Sequence, residues 1–215
     1  ESKDEKTNKK KRTQIWPRYH QLDVVRKLLA DAESHGVGQR YLIQHSAGSG
    51  KSNSIAWLAH QLIGLKRDNK EIYDSIIVIT DRRILDQQIR DTIKQFAQVG
   101  ATVGHAERSG DLRSFISHGK KIIISTVQKF PFILDEIGSE HRSRNFAIII
   151  DEAHSSQGGK VAAALNVALS EAGEEQEDET TEDKINRVME ARKLLANASY
   201  FAFTATPKNK TLEIF

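Results

Sequence analysis

The sequence predicts an open three-layer α/β domain, a mostly parallel sheet with helices on both faces, and three observations carry that expectation. Five short stretches, 41–44, 76–80, 122–126, 147–151 and 200–204, are apolar without alternation and rich in Ile, Val or aromatic residues. Strands buried on both faces of a parallel sheet read this way. Between them, apolar residues recur at helical spacing. Polar, chemistry-bearing residues collect where the strands end, the edge at which such sheets bind ligands.

In chain order, Leu22, Val25, Leu28 and Leu29 predict a helix ahead of the first strand, and Ile55, Leu58, Leu62 and Leu65 a second one after it. Ile84, Ile89, Ile93 and Phe96 predict a third helix behind the strand at 76–80, and Ile185, Val188, Leu194 and Leu195 a fourth before the last strand. Strand and helix therefore alternate, which implies right-handed crossovers between parallel strands. No internal repeat is present.

Composition narrows the function classes. The 215 residues, 38% hydrophobic and 28% charged, suit one ordinary domain. No apolar run exceeds five residues, far short of the roughly 20 that a membrane helix needs. The absence of cysteine excludes disulfides, thiol catalysis and zinc sites of the cysteine type. The N-terminus is charged and lacks the apolar core of a signal peptide, so a cytoplasmic protein without membrane contact is expected. A chain starting at Glu1 and ending at Phe215 is expected to be a fragment of a longer polypeptide.

The net charge of +3 is unevenly spread. Glu171, Glu174, Glu175, Glu177, Asp178, Glu179, Glu182 and Asp183 crowd one stretch without a basic residue. Outside it stand 32 basic against 21 acidic side chains, so the body carries a net +11. A basic body fits either a solvated surface or contact with a polyanion. The acidic stretch, 171–183, reads as an exposed, mobile loop insertion. Residues 1–13, with Lys3, Lys6, Lys9, Lys10, Lys11 and Arg12, read as a basic linker entering a domain at 14–215.

The strand at 41–44 runs into His45-Ser46-Ala47-Gly48-Ser49-Gly50-Lys51-Ser52 and then into a helix, the setting of a phosphate-binding loop. Glycines at 48 and 50 let successive N–H groups face inward around an anion, and the helix dipole beginning near Lys51 adds partial positive charge. Ala47, Gly48, Ser49, Gly50, Lys51 and Ser52 form the nucleotide-binding set, with Lys51 on the β and γ phosphates and Ser52 on Mg²⁺. The general pattern wants glycine at 45, and the chain has His45.

The strand at 147–151 ends in Asp151-Glu152-Ala153-His154. Phosphoryl transfer needs a hard cation against the phosphate oxygens and a positioned water. Asp151 suits the Mg²⁺ shell and Glu152 the water. The catalytic set is then Lys51, Asp151 and Glu152, and the metal set Ser52 and Asp151, with ATP and Mg²⁺ as cofactors. Gln21 carries an amide able to give and accept hydrogen bonds as the adenine edge requires. Tyr19 offers a ring to stack nearby, although Trp16 and Tyr19 read more readily as packing residues. Ser125, Thr126 and Lys129 close the third strand with small polar groups and a cation suited to a phosphate backbone.

In order, Gln21, Gly48-Ser49-Gly50-Lys51-Ser52, Thr80-Asp81-Arg82, Ser125-Thr126-Val127-Gln128-Lys129, Asp151-Glu152-Ala153-His154 and Thr204-Ala205-Thr206 resemble the motif series of the first RecA-like lobe of superfamily 2 helicases and translocases. Within that superfamily, His45 in the phosphate loop, the run from Thr80 to Gln88, Asp151-Glu152-Ala153-His154-Ser155-Ser156-Gln157 and Phe203-Thr204-Ala205-Thr206-Pro207 are similar to the restriction subunit of type I restriction-modification enzymes. The resemblance implies a RecA-like P-loop ATPase lobe that drives translocation on double-stranded DNA. A second RecA-like lobe and a nuclease domain would lie elsewhere in the same chain, and methylation and specificity subunits would be partners. It further implies that His154, Gln157, Thr204 and Thr206 couple nucleotide to DNA or to the second lobe, and that Arg82, Thr126 and Lys129 touch DNA.

Two other readings compete. One is a different superfamily 2 enzyme of the DEAH type acting on RNA or DNA, which preference for single-stranded RNA would support. The other is a non-catalytic nucleotide-binding module, against which the presence of Lys51, Ser52, Asp151 and Glu152 together counts.

Overall fold

The computed structural model describes residues 2–3, 10–11, 16–46, 48–80, 93, 103–106, 108–151, 195–207 and 209–215. Six strands form one parallel sheet: β1 (Arg40–Gln44), β2 (Ser75–Thr80), β3 (Val103–His105), β4 (Ile122–Thr126), β5 (Phe146–Asp151) and β6 (Ala198–Thr204). Their spatial order is β1-β6-β5-β2-β4-β3, and every neighbouring pair is parallel. All five predicted strands are present within two residues of their expected ends.

Every residue of β2, β5 and β6 is buried, as continuous apolar runs require. β1 departs from that expectation. It is the sheet edge, and Arg40 and Gln44 at its two ends are exposed.

Side chains alternate between two cores. Helices α1 (Tyr19–His35) and α2 (Lys51–Ile63) cover one face, where Val25, Leu28, Ile55 and Leu58 pack on Ile76, Val78, Ile149 and Phe203. Helices α3 (Ser109–Ser117) and α4 (Phe130–Ser139) cover the other, where Leu112, Ile116, Ile133 and Ile137 pack on Ile77, Ile79, Ile148 and Ile150. Each fully buried Ile or Leu contributes about 1.5–3 kcal/mol. A short α5 (Asn209–Ile214) follows β6.

Local chemistry sets the helix ends. The Gln21 side chain reaches back to accept from the Arg18 N–H at 2.8 Å, satisfying a donor ahead of the first turn of α1. Gly36, at φ 77°, ends that helix. α2 stops at Gly64, so Leu65 lies past its end. Pro131 stands in the first turn of α4, where an N–H has no partner to lose.

Four of these elements were not anticipated from the sequence: β3, α3, α4 and α5. β3 is three residues long with glycine at its centre. A Cβ at Gly104 would lie 2.8 Å from the Phe115 ring of α3, so the helix packs directly on that backbone. Helices α3 and α4 did leave a sequence trace, in Leu112 with Ile116 and in Phe130, Ile133, Leu134 and Ile137.

The predicted helices around 84–96 and 185–195 and the acidic stretch 171–183 lie outside the described residues, apart from Ile93 and Leu195. Short antiparallel pairs join Ser2–Lys3 to Lys10–Lys11 and Lys66–Arg67 to Lys70–Glu71. No helix among the described residues is long and apolar enough to cross a membrane.

Candidate nucleotide-binding site

The site grows from the carboxyl edge of the sheet. Beyond β1 the chain turns through the glycine loop, with Gly48 at φ 75° and Gly50 at φ 84°, a region that favours glycine. Gly50 is the residue that starts α2, so Lys51 and Ser52 occupy the first turn, where backbone N–H groups have no helical acceptor.

From there Lys51 reaches across the width of β6. Its Nζ stands 3.2 Å from Asp151 Oδ1 at the end of β5. The Asp151 side chain is 2% exposed and that of Lys51 21%. Predicted from motifs a hundred residues apart, the two groups meet as an ion pair in a setting of low dielectric.

The loop is held from below by α1. Gln21 is buried, and its Nε2 donates to the carbonyls of Gly50 at 2.9 Å and Ser49 at 3.2 Å. With Oε1 accepting from Arg18, both amide hydrogens and one acceptor position are in use. The amide expected to give and accept at the adenine edge thus has both its hydrogens on the loop backbone, and only acceptor capacity on Oε1 is left. A Cβ on Gly50 would come 2.4 Å from Gln21 Nε2, so close an approach needs glycine.

His45 shows what replaces the glycine of the general pattern. Its ring is buried, Nδ1 lies 2.9 Å from Ser49 Oγ, and its backbone N–H donates to Thr204 O at 2.7 Å, extending the sheet ladder to the loop. Burial first, then the nearby His20 and Lys51 charges, hold its pKa below the ordinary histidine value. It is therefore a neutral ring at pH 7. His20 adds a second contact, Nε2 to Ser49 O at 3.2 Å, and its ring sits 5.4 Å from that of His45. The sequence reading did not single out His20; its place beside Gln21 was the available signal.

A cavity of about 530 Å³ opens beside the loop, lined among others by Arg18, His20, His45, Gly48 and Ser49. A larger hollow of about 910 Å³, between α1 and the β1 edge, contains neither the loop glycines nor the ion pair. Trp16 and Tyr19, expected to pack, are instead 76% and 83% exposed. Trp16 lies in the extended stretch ahead of α1 and Tyr19 in the first turn of that helix, where no core face among the described residues receives them.

The other predicted positions divide. Thr204, at the end of β6, is buried, and Thr206 just past it is exposed. Thr126 ends β4 and accepts from Lys129 Nζ at 3.5 Å, so the two lie together. Ala47, Arg82, Glu152, His154 and Gln157 lie outside the described residues.

The donor set fits a magnesium nucleotide. A nest of backbone N–H groups, a lysine and a serine at a helix start, and a buried carboxylate already balanced by that lysine supply cationic and anionic partners for phosphate and metal. Similarity to known proteins decides the family: the SWI2/SNF2 ATPase family matches residues 20–215. The chain belongs to that family. Among curated relatives, the endonuclease subunit assigned to type I restriction enzyme MjaIXP of Methanocaldococcus jannaschii is 30% identical over 176 residues, 77% of this chain and 13% of the relative. That of type I restriction enzyme SsaAORF53P of Staphylococcus saprophyticus is 24% identical over 173 residues, again 77% of this chain and 15% of the relative. The chain thus spans less than a sixth of the length of these two relatives.

Two solved structures share the fold, each at 15% identity. The type ISP restriction-modification enzyme LlaGI, solved as a nuclease-deletion mutant with a DNA substrate mimic, matches with a TM-score of 0.51 over 90% of this chain and 18% of its own. The UvsW helicase of bacteriophage T4 matches at 0.50 over 93% of this chain and 57% of its own. The SWI2/SNF2 chain is accordingly a RecA-like, helicase-type ATPase lobe of the kind that restriction-enzyme subunits contain.

Proposed function

We propose that this lobe binds ATP with Mg²⁺ and drives translocation on double-stranded DNA as the motor of a type I restriction enzyme, with cleavage performed by a separate nuclease domain. The observation that carries the proposal is the Lys51–Asp151 pair beneath a glycine loop. A lysine that neutralises a buried carboxylate is poised to exchange it for the β and γ phosphates.

In this reading Gly48, Ser49 and Gly50 present their N–H groups to the phosphates, and Ala47 continues that wall. Gln21 meets the adenine amino group with the acceptor position left on Oε1. Ser52 and Asp151 hold Mg²⁺, which offsets charge on the phosphate oxygens. Glu152 orients the attacking water. Thr204, beside the loop through the His45–Thr204 bond, and Thr206 pass the nucleotide state onward with His154 and Gln157. Arg82, Thr126 and Lys129 contact the DNA backbone.

A second RecA-like lobe completes the site with an arginine, a contribution worth about 10³ to 10⁵ in rate in nucleotide hydrolases. The lobe by itself therefore turns over slowly. The test is ATP hydrolysis by the full-length subunit with its methylation and specificity partners, with and without unmethylated duplex carrying the target site. Many-fold stimulation by duplex, abolished by Lys51→Ala, is the expected result. Stimulation by RNA and not by duplex would replace this reading with an RNA helicase.

A further inference from the structure

At the carboxyl edge of the sheet three polar side chains stand in one row: Asp151 of β5, Thr80 of β2 and Thr126 of β4. The ladder sets that row. Ile79 pairs with Ile150 and Thr80 with Thr126, so one step beyond Ile79 and Ile150 brings Thr80 beside Asp151. Val78 and Ile149, two residues earlier, belong to the core under α1 and α2, and by alternation Thr80 and Asp151 leave the sheet on that same face.

Asp151 is ion-paired with Lys51, though its Oδ1 accepts no hydrogen bond among the described residues, and Thr126 accepts from Lys129. Thr80, between them, is fully buried and its Oγ1 has no hydrogen-bond partner among the described residues. Leaving a buried hydroxyl unsatisfied is costly, and valine would fill the same space without that cost. The neighbouring cases differ. Ser54 of α2 is also buried without a partner, but a helical serine can turn to the carbonyl four residues back. Ser125 and Thr204 leave the sheet on the opposite face, following Ile123 and Tyr200 in the other core.

The Lys51–Asp151 exchange gives the idle hydroxyl a task. Once Lys51 turns to phosphate, a carboxylate that is almost wholly buried loses that cation, and its Oδ1, like Thr80 Oγ1, makes no hydrogen bond among the described residues. We propose that Thr80 is a positioning residue for Asp151, its hydroxyl donating to the carboxylate when Lys51 has left. Hydrogen bonds to charged acceptors are the strong ones, and such outer partners orient metal-ligating carboxylates. The proposal rests on the nucleotide-binding reading above.

The test uses the full polypeptide with Thr80→Val, Thr80→Ser and Lys51→Ala, and two readouts. The first is melting temperature without nucleotide. The second is affinity for a fluorescent, non-hydrolysable ATP analogue as Mg²⁺ is titrated from zero. Thr80→Val should melt no lower than the parent and bind the analogue equally well in EDTA. Its Mg²⁺ midpoint should rise about 10- to 100-fold, the usual cost of losing an outer-shell hydrogen bond. Thr80→Ser should restore the midpoint.

An unchanged midpoint in Thr80→Val overturns the proposal. So does a serine variant as impaired as the valine one, or a fall in the melting temperature of Thr80→Val, since either makes the residue a packing element. If the parent fails to bind the analogue, or Lys51→Ala binds it as tightly, the nucleotide reading itself fails and this proposal with it.

Discussion

Removing one partner of the Lys51–Asp151 pair should destabilise the fold unequally, depending on which partner is removed. Lys51→Ala strips the cation from a carboxylate whose side chain is 2% exposed. Breaking a buried pair this way costs about 3–5 kcal/mol, since the remaining charge has lost its cation in a place that water scarcely reaches. Asp151→Asn leaves instead a lysine that is 21% exposed and can extend toward solvent, at about 1–2 kcal/mol. The double variant holds no stranded charge and should return close to the Asp151→Asn value.

For a domain of this size 1 kcal/mol moves the melting temperature by about 2–4 °C, so Lys51→Ala should lose roughly 6–20 °C and Asp151→Asn roughly 2–8 °C. Thermal melts of the four proteins at pH 7 and fixed salt measure this, and nucleotide binding should be lost in all three variants. Equal losses in the two single variants, or a Lys51→Ala protein melting within about 3 °C of the parent, would refute the argument that Asp151 is a buried, charge-dependent group.

Two further outcomes follow from the loop. Gly50→Ala forces a left-handed φ of 84° on a residue with a Cβ and drives that atom into Gln21, displacing its two bonds to the loop; a loss of about 2–4 kcal/mol in urea unfolding is expected, together with weakened nucleotide binding. His45 has a folded-state pKa below its unfolded value, so its stabilisation is complete above about pH 6.5 and is lost as the pH falls through the folded-state value. His45→Gln should flatten that part of the stability-against-pH profile, and an unaltered profile would remove the burial argument.

Much of the site was legible in the sequence because its signals are local. A strand needs only a few consecutive β-branched residues, and a phosphate loop needs only glycines where φ turns positive and a lysine at the helix start. Gly48, Gly50, Lys51, Ser52 and Asp151 were all singled out that way, and the structure brings Lys51 and Asp151 together. β3 was missed for the same reason: three residues around Gly104 are too few to carry a pattern, and only the Phe115 ring packed on its backbone explains the glycine. Trp16 and Tyr19 were misjudged because an aromatic side chain carries no local mark of whether a core face is open to receive it.

The sequence by itself therefore determined the element types, the parallel sheet and the chemical nature of the loop, each set by periodicity within a few residues. Strand order was decided only by the tertiary structure. The order β1-β6-β5-β2-β4-β3 inserts β6 between the loop strand and the carboxylate strand, and so sets the span Lys51 must bridge to Asp151. It sends the Gln21 amide to the loop carbonyls and sets Thr80 beside Asp151. These are contacts between residues 28 to 100 positions apart, selected by which faces bury best against one another, and no short-range pattern encodes that choice.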